Sequence, residues 1–444
     1  MANFLTRVVL AFCFILSSAS FANAGNVENI SLKQAIDYSL AHNPRIKAAE
    51  AGVKIEEQYV NSARSDEYPK IDLNGQALQT RYDSALTPLA GSPAAGAKFP
   101  DFSNPVYDAI ATLAIPLYRG GRLDKNVSIA MLRKSAADEL LKSGRAELVF
   151  NVTSAYYKIM QLQKLLKSAS SNVERLEAHR KNAELFYKTG TAPKLDLLKT
   201  DVELANGRQI MMSVENALKS AEELLKTLMG MDDPVDTVRI SGETGEPEKY
   251  PSVNDSIAMS LENRGELAAA RMKTKIAEEK LDAAWGRRLP SLTIVADYGG
   301  RADKSMAFNE NWDAALKMSV PLYDGGSISS EMARDRHEIE KSREEERAVR
   351  LAVIKEIKDS HFSIETSAKK IEAAKAAVDA AMEAERIENL KYKTGAGSNT
   401  DVMDAETALL RAESDYYQAF FDKDIAIAAL FKAIGGSESI EGAK

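Results

Sequence analysis

Two carboxylates, Asp401 and Asp404, stand three residues apart near the start of a helical stretch, so both fall on one helix face. Copied around a symmetry axis, such a pair would form a ring of acids that favours cations and binds multivalent ones. The same residues also fit a plainer role, an acidic first turn that complements the helix dipole. No other grouping points to chemistry. His42, His179, His337 and His361 are scattered, none at ligand spacing to another. There is no glycine-rich phosphate loop and no nucleophile motif with a partner. The expectation is a protein that is not an enzyme and takes no cofactor or metal.

The elements that must position the two acids are written twice. Tyr392–Gly395, just before them, reads YKTG, and so does Tyr187–Gly190. Val320–Gly326 reads VPLYDGG, and Ile115–Gly121 reads IPLYRGG. Both pairs are separated by 205 residues (392 − 187 and 320 − 115). The chain is therefore two copies of one unit, and a kept register implies that both copies span one distance.

Gross features narrow the class. Arg7, the apolar run Val8–Leu16 and the small-x-small site Ala22-Asn23-Ala24 predict a secretory signal over 1–24, with the mature chain starting at Gly25. The single cysteine, Cys13, lies inside it, so the exported chain builds no disulfide framework. The full sequence carries 58 basic and 65 acidic side chains, a net −7. That argues against nucleic acid and against a polybasic membrane surface. No later stretch reaches the apolar length of a spanning helix, so a place in a membrane would have to be taken as a β-barrel.

Each unit opens helically, over Ser31–Tyr68 and Ser252–Leu289, and closes at Pro69 or Pro290. These parts correspond at an offset of 221 (290 − 69). The change to 205 places about sixteen extra residues in the first copy, in the Pro-, Gly-, Ala- and Ser-rich loop Arg81–Pro105. Strands flank the loops. Leu292, Ile294, Ala296 and Tyr298 alternate with polar neighbours, as do Trp312, Ala314, Leu316 and Met318. Val106–Leu117 does the same, and Ile71–Thr80 does so more weakly. Segments of about ten residues suit a tilted membrane strand, and equally a half-buried hairpin.

At Gly120-Gly121 and Gly325-Gly326 strand gives way to helix. The runs Arg122–Tyr187 and Ser327–Tyr392 contain no proline, and at about 1.5 Å per residue each is roughly 100 Å long. Leu141, Leu148, Val152, Ala155, Ile159, Leu162 and Leu166 mark a coiled-coil seam. The chain turns at Gly190 or Gly395 and runs back helically. The expected layout is a signal peptide over 1–24 and a first repeat over 25–230, with strands at about 69–80 and 106–119. A linker over 231–252 leads to a second repeat over 253–436, with strands at about 290–300 and 312–323, and a tail over 437–444. Four strands cannot close a barrel, and open edges in lipid cost several kcal/mol per group. Three copies would bring twelve strands (3 × 4), enough for a hollow tube. A homotrimer is inferred on this ground.

This layout resembles the TolC family of outer-membrane efflux proteins over nearly all of the mature chain. The resemblance rests on the signal, the duplicated helix–strand–strand–long helix–helix unit, both PLY-x-GG turns and both tyrosine-x-x-glycine turns. It implies a mainly α fold with a transmembrane β-barrel: a trimeric twelve-stranded barrel in the outer-membrane lipid, continued by an α-helical coiled-coil tunnel through the periplasm. It implies partners too, a periplasmic adaptor and an inner-membrane transporter of RND, ABC or MFS type, in efflux or type I secretion. The runner-up is a periplasmic coiled-coil scaffold without a pore.

The resemblance also implies site residues. Asp401-Val402-Met403-Asp404-Ala405 matches the family segment whose two aspartates ring the periplasmic constriction. Tyr392 and Asp196 match members of the closed-state latch. Gly397 stands where the family has the latch arginine, so the charge-assisted bond is missing here. Lys188, Gly190, Thr191, Lys393, Gly395 and Ala396 lie in the turns where the family docks its adaptor.

Overall fold

The computed structural model describes residues 30–79, 105–232, 240, 249–302 and 304–436. The signal segment 1–24, all but the last residue of the loop Arg81–Pro105, most of the linker 231–252 and the tail 437–444 lie outside the described residues. The first repeat runs α1 (Leu32–His42), α2 (Pro44–Ser65), β1 (Lys70–Leu78), β2 (Val106–Arg119), α3 (Arg122–Lys188) and α4 (Lys194–Met229). The second runs α5 (Val253–Asn263), α6 (Gly265–Gly286), β3 (Ser291–Ala302), β4 (Phe308–Ser319), α7 (Ser327–Lys393) and α8 (Asn399–Ile434). The two long helices are each 67 residues and the two returning helices each 36.

The opening helix of each repeat is broken, where the sequence suggested one continuous stretch. At the first break Pro44 starts α2, and the Asn43 side chain accepts from the N–H groups of Arg45 (2.8 Å) and Ile46 (3.4 Å). The same side chain donates to the Leu228 carbonyl, 2.8 Å away in the last turn of α4. The second break falls at the equivalent residue, Arg264 (43 + 221), which has no proline beside it. Its guanidinium donates to the Ala433 carbonyl of α8 at 3.2 Å and pairs with Glu266 and Glu356 at 2.8 and 2.7 Å. Different residues thus do one job twice. They satisfy open carbonyls at the end of the returning helix where a short opening helix meets it.

The seam of α3 is the largest core. Leu148, Val152, Ala155, Ile159 and Leu162 are buried, packed with Val214, Leu225 and Met229 of α4 and with Ile36 and Ile46 from the opening helices. Each buried aliphatic side chain contributes about 1.5–3 kcal/mol, so this stripe fixes which helices lie side by side.

The sheet is antiparallel in the order β1-β2-β3-β4, and the central β2–β3 pair joins the two repeats. Register sorts the faces. Ile294 lies opposite Ile115 and Leu316, and Tyr298 lies opposite Ala111 and Trp312, which makes one apolar face. Asp297 lies opposite Thr112 and Asp313, and Lys70 lies opposite Ala114, on the polar face. The fourth strand sits earlier than its expected span of 312–323. It begins at Phe308 and ends at Ser319, because Asn309–Asn311 pair with Gly299–Arg301 although they do not alternate, while Val320 and Pro321 leave the ladder.

Gly121 and Gly326 start the long helices with φ of 72° and 86°, each preceded by a second positive-φ glycine, Gly120 or Gly325. Gly120 and Gly286 meet backbone to backbone. A Cβ on Gly120 would lie 2.0 Å from the Gly286 carbonyl oxygen, and one on Gly286 would lie 2.3 Å from that of Gly120. This contact seats the strand-to-helix turn of the first repeat on the last turn of α6.

Gly286→Ala should therefore destabilise the protein by about 1–3 kcal/mol or more through overpacking. Gly52→Ala, in a helix with open space around it, should stabilise by about 0.5–1 kcal/mol. Denaturant melts followed by circular dichroism check both; equal effects would remove the close-approach argument.

Candidate functional site

The far end of the rod is made of one turn used twice. Gly190 and Gly395 both have φ of 76°. The Thr191 N–H donates to the Phe186 carbonyl and the Ala396 N–H to the Lys391 carbonyl, each at 2.9 Å. Thr189 and Thr394 hydroxyls donate to the carbonyls four residues back, both at 3.1 Å. These bonds close the helix ends and leave Lys188, Gly190, Thr191, Lys393, Gly395 and Ala396 exposed at the tip. Lys188 also pairs with Glu184 at 2.8 Å.

Identical phrases then diverge in their surroundings. Tyr187 is 42% exposed and Tyr392 only 5%. The Tyr392 ring packs on His179 (centroids 4.6 Å) and Phe186 (5.4 Å), which draws the second repeat's tip against the first. Its hydroxyl has no hydrogen-bond partner among the described residues, so Tyr392 and Asp196 are not bonded. Asp196 is nonetheless near. Burial first, and then the charge of Asp196, push the Tyr392 hydroxyl above its ordinary range.

What joins the two returning helices is a buried polar knot. The Asn399 amide oxygen, at the start of α8, meets His179 Nε2 at 2.7 Å and accepts from the Thr200 hydroxyl at 3.1 Å. Its amide nitrogen donates to the Asp196 carbonyl at 3.2 Å. His179, Thr200 and Asn399 are 2%, 0% and 3% exposed. Gly397 explains why no arginine takes part. A Cβ there would lie 2.8 Å from Lys391 Cβ, so the turn as built excludes a side chain. One step up the rod, Arg175 of α3 pairs with Glu406 of α8 at 2.7 Å, with the Glu406 side chain 2% exposed. Burial pushes the Glu406 carboxyl up and the Arg175 bond pulls it down.

Asp401 and Asp404 are both exposed, while Val402, Met403 and Ala405 between and beside them face the core. Asp401 also serves its own helix. Its carboxylate accepts from the Ser398 N–H at 3.3 Å, and the Ser398 hydroxyl accepts from the Asp401 N–H at 3.1 Å, a capping box. Asp404 has no such bond among the described residues. Asp196 occupies the position equivalent to Asp401 (401 − 205).

Sequence reasoning passed over His179, Thr200, Asn399, Arg175 and Glu406. A signal existed for the histidine. Asn172, Leu176, His179 and Ala183 are buried at spacings of 4, 3 and 4, so His179 continues the apolar seam of α3.

With the open sheet, the paired rods and the tip in view, comparison with known proteins decides the family. The family model "Outer membrane efflux protein" matches residues 35–231 and 257–436, most of both repeats. The chain belongs to the outer-membrane efflux protein family. It is similar to the outer membrane protein TolC of Escherichia coli (21% identical, 92% of this chain and 82% of that one). It is equally similar to the alkaline protease secretion protein AprF of Pseudomonas aeruginosa (22% identical, 95% and 86%). A crystal structure of a membrane protein from Pseudomonas aeruginosa superposes with a TM-score of 0.81 at 18% identity, over 91% of this chain and 90% of that one, which shows the shared fold. An outer-membrane efflux protein has its strands in the outer membrane, and the family is one of transport conduits.

The knot predicts a pH response. Burial is the main cause that holds His179 below its ordinary value of 6.5, with the Asn399 bond and Asp196 opposing it and Lys393 adding to it. Its folded-state affinity for a proton is thus lower than its unfolded-state affinity, so its contribution is intact above 6.5 and is lost as pH falls through the depressed value. Protection of the tip amides against hydrogen exchange, taken relative to their intrinsic rate at each pH, should fall as pH is lowered below 6.5. His179→Gln should flatten that dependence; an unchanged pH profile in this variant would exclude His179 as the cause.

Proposed function

We propose that the chain works as a homotrimeric exit duct, passing cargo through the outer membrane on behalf of a periplasmic adaptor and an inner-membrane transporter. The observation that carries this is the pair of open flanks. Among the described residues β1 and β4 each lack a neighbour on their outer side, and Ile71 and Leu73 of β1 and Trp312, Leu316 and Met318 of β4 are 62–78% exposed. A sheet edge in lipid has to be paired, and further copies of the chain are the natural neighbours. The helices carry the same message. Leu351, Phe362 and Met382 of α7 are more than half exposed, and α7 has 11 buried residues where α3, of the same length, has 21.

The internal repeat supports where the next copy sits. Gly120 is seated on Gly286 at the end of α6, but a Cβ on Gly325 would touch nothing within 4 Å. Leu322 and Tyr323 beside it are 93% and 92% exposed, against 56% and 42% for Leu117 and Tyr118 in the first repeat. The first-repeat counterpart of Gly286 is Ser65 (286 − 221), the last residue of α2. The end of α2 in the neighbouring copy would therefore face the Gly325 turn, in a looser contact than that of Gly120 with Gly286 because Ser65 carries a Cβ. Apolar strand side chains then face lipid and polar ones line the bore. The exposed apolar face weighs against a pore-less periplasmic scaffold.

At the tip, three copies would bring Asp401 and Asp404 together as a ring of carboxylates, the constriction. The closed state would be held by the neutral knot around Asn399 and by the Tyr392 ring, in place of an arginine latch. The exposed turns with Lys188, Gly190, Thr191, Lys393, Gly395 and Ala396 would receive the adaptor. Secretion of a protein is named for the Pseudomonas aeruginosa relative; a passive bore serves such cargo and small solutes alike.

Cysteine substitutions test the assembly, since the only native cysteine is Cys13. Ser65→Cys with Tyr323→Cys should give, on oxidation, a covalent ladder that stops at three chains on a non-reducing gel. A ladder that stops at two, or none with either substitution moved by one residue, would sink this packing. Asp401→Asn with Asp404→Asn should reduce cation selectivity in planar bilayers, read as a reversal potential closer to zero in a salt gradient.

A further inference from the structure

The two long helices begin differently, and the difference lies at one residue of the repeated motif. In the second repeat Asp324 precedes the glycine pair. Its carboxylate accepts from the Gly326 N–H at 3.0 Å and the Ile328 N–H at 2.6 Å, so a bound anion sits at the start of α7. These bonds, that to Ile328 foremost, hold the Asp324 carboxyl below its ordinary range. The equivalent residue in the first repeat (324 − 205) is Arg119. The bonds that Asp324 makes to the start of α7 have no counterpart from the Arg119 side chain, whose guanidinium can only donate.

Around that start lies a cavity of about 490 Å³, within the size range of small-molecule sites. Six basic and three acidic side chains line it, so its charge depends on which of them are paired. Every acid is taken. Asp66 holds Lys70 at 2.6 Å, Asp335 holds Arg334 at 2.8 Å, and Glu331 holds Arg287. Arg119, Arg122 and Lys280 remain without an ion pair among the described residues, although the charge of Glu331 reaches Arg122. Glu279 and Asp282, beside Lys280 on α6, are themselves held by Lys125 at 2.8 Å. Arg122 Nε donates to the Arg119 backbone carbonyl at 3.0 Å, and the Arg119 charge acts on the Arg122 guanidinium. Burial, and then the like charges of Arg119 and Arg287, lower the proton affinity of Arg122, with Glu331 opposing them. Like charges crowded around a concave space are a cost that a multivalent anion removes.

We infer that this cavity is a binding site for multivalent oxyanions of phosphate type, held by Arg119, Arg122 and Lys280 at the junction of barrel and tunnel. The helix start adds its unpaired N–H groups, as the start of α7 does for Asp324. The cavity opens on the polar face of the sheet, the face of Lys70, Ala114 and Pro116. That this face lines the bore rests on the barrel reading above; the binding does not. The ligand is therefore a solute or cargo group inside the tube, and not a lipid headgroup outside it.

The test is calorimetry of the intact detergent-purified protein with inorganic pyrophosphate in a phosphate-free buffer. Saturable binding that weakens with added salt is expected. Arg119→Asp copies the second repeat and supplies the chain's own anion. It should weaken pyrophosphate binding roughly tenfold or more, as loss of a charge-assisted contact does, while the melting temperature holds or rises. Arg122→Gln with Lys280→Gln should weaken binding similarly, and Asp324→Asn should leave it unchanged. Absence of saturable binding to the unmodified protein, or unchanged affinity in both the Arg119 and the Arg122/Lys280 variants, overturns the site. Equal affinity in nanodiscs of phosphatidylcholine and of phosphatidylglycerol supports a bore-facing site; loss in phosphatidylglycerol alone overturns that placement in favour of a headgroup. Because transport plays no part in the measurement, its failure leaves the exit-duct reading untouched, and failure of the trimer crosslinks leaves the binding result untouched.

Discussion

Backbone hydrogen bonds in lipid have nowhere to go but another strand. That obligation shapes the rest of this chain. Four strands satisfy it internally along three ladders and leave it unmet at two edges. Whatever completes the sheet must present the same pattern of donors and acceptors at the same height, and a further copy does so automatically. The helices inherit the consequence. Each long helix continues from a strand, so helices stand in the order of the strands, and α3, packed on by both repeats, buries more of its surface than α7.

Duplication supplied equal lengths, and later divergence supplied differences at equivalent places. Asn43 and Arg264 close the same joint with an amide in one repeat and a guanidinium in the other. Tyr187 looks outward and Tyr392 inward because His179 and Phe186 form a seat for only one of them. Arg119 and Asp324 place opposite charges before two helices that are otherwise matched in length. In each case the backbone is kept and the chemistry changes. A scaffold set by strand pairing and seam packing tolerates exchange at its joints.

Much of this was legible in the chain itself. Alternation in Ser291–Tyr298 and Trp312–Met318 gave strands and their faces, and the heptad from Leu141 to Leu166 gave the rod, because burial imposes those periods directly. The break at Asn43 was not legible. Pro44 sits where a proline is allowed, in the first turn of a new helix, and Arg264 has no proline to mark it. The early start of β4 was hidden because Asn309–Asn311 join the ladder by backbone pairing alone. At the tip, the sequence showed the exposed acids and the turns. It did not show the knot, because His179, Thr200 and Asn399 are brought together only by the packing of one repeat on the other. The same holds for Arg119, whose meaning depends on which acids nearby are already engaged.

The composition of the knot has a consequence of its own. Asn399, Thr200, neutral His179 and the Asp196 carbonyl join without a full charge, and the site is closed to water. Salt screens exposed charges over about 8–10 Å at ordinary ionic strength and about 3 Å at 1 M, but it acts only weakly on buried neutral bonds. The periplasm takes its small ions from the medium outside, so its ionic strength follows the surroundings. Pairs along the rod such as Arg208–Glu177 weaken when that medium is briny. The knot does not, so the joint between α3, α4 and α8 keeps one strength in fresh water and in salt.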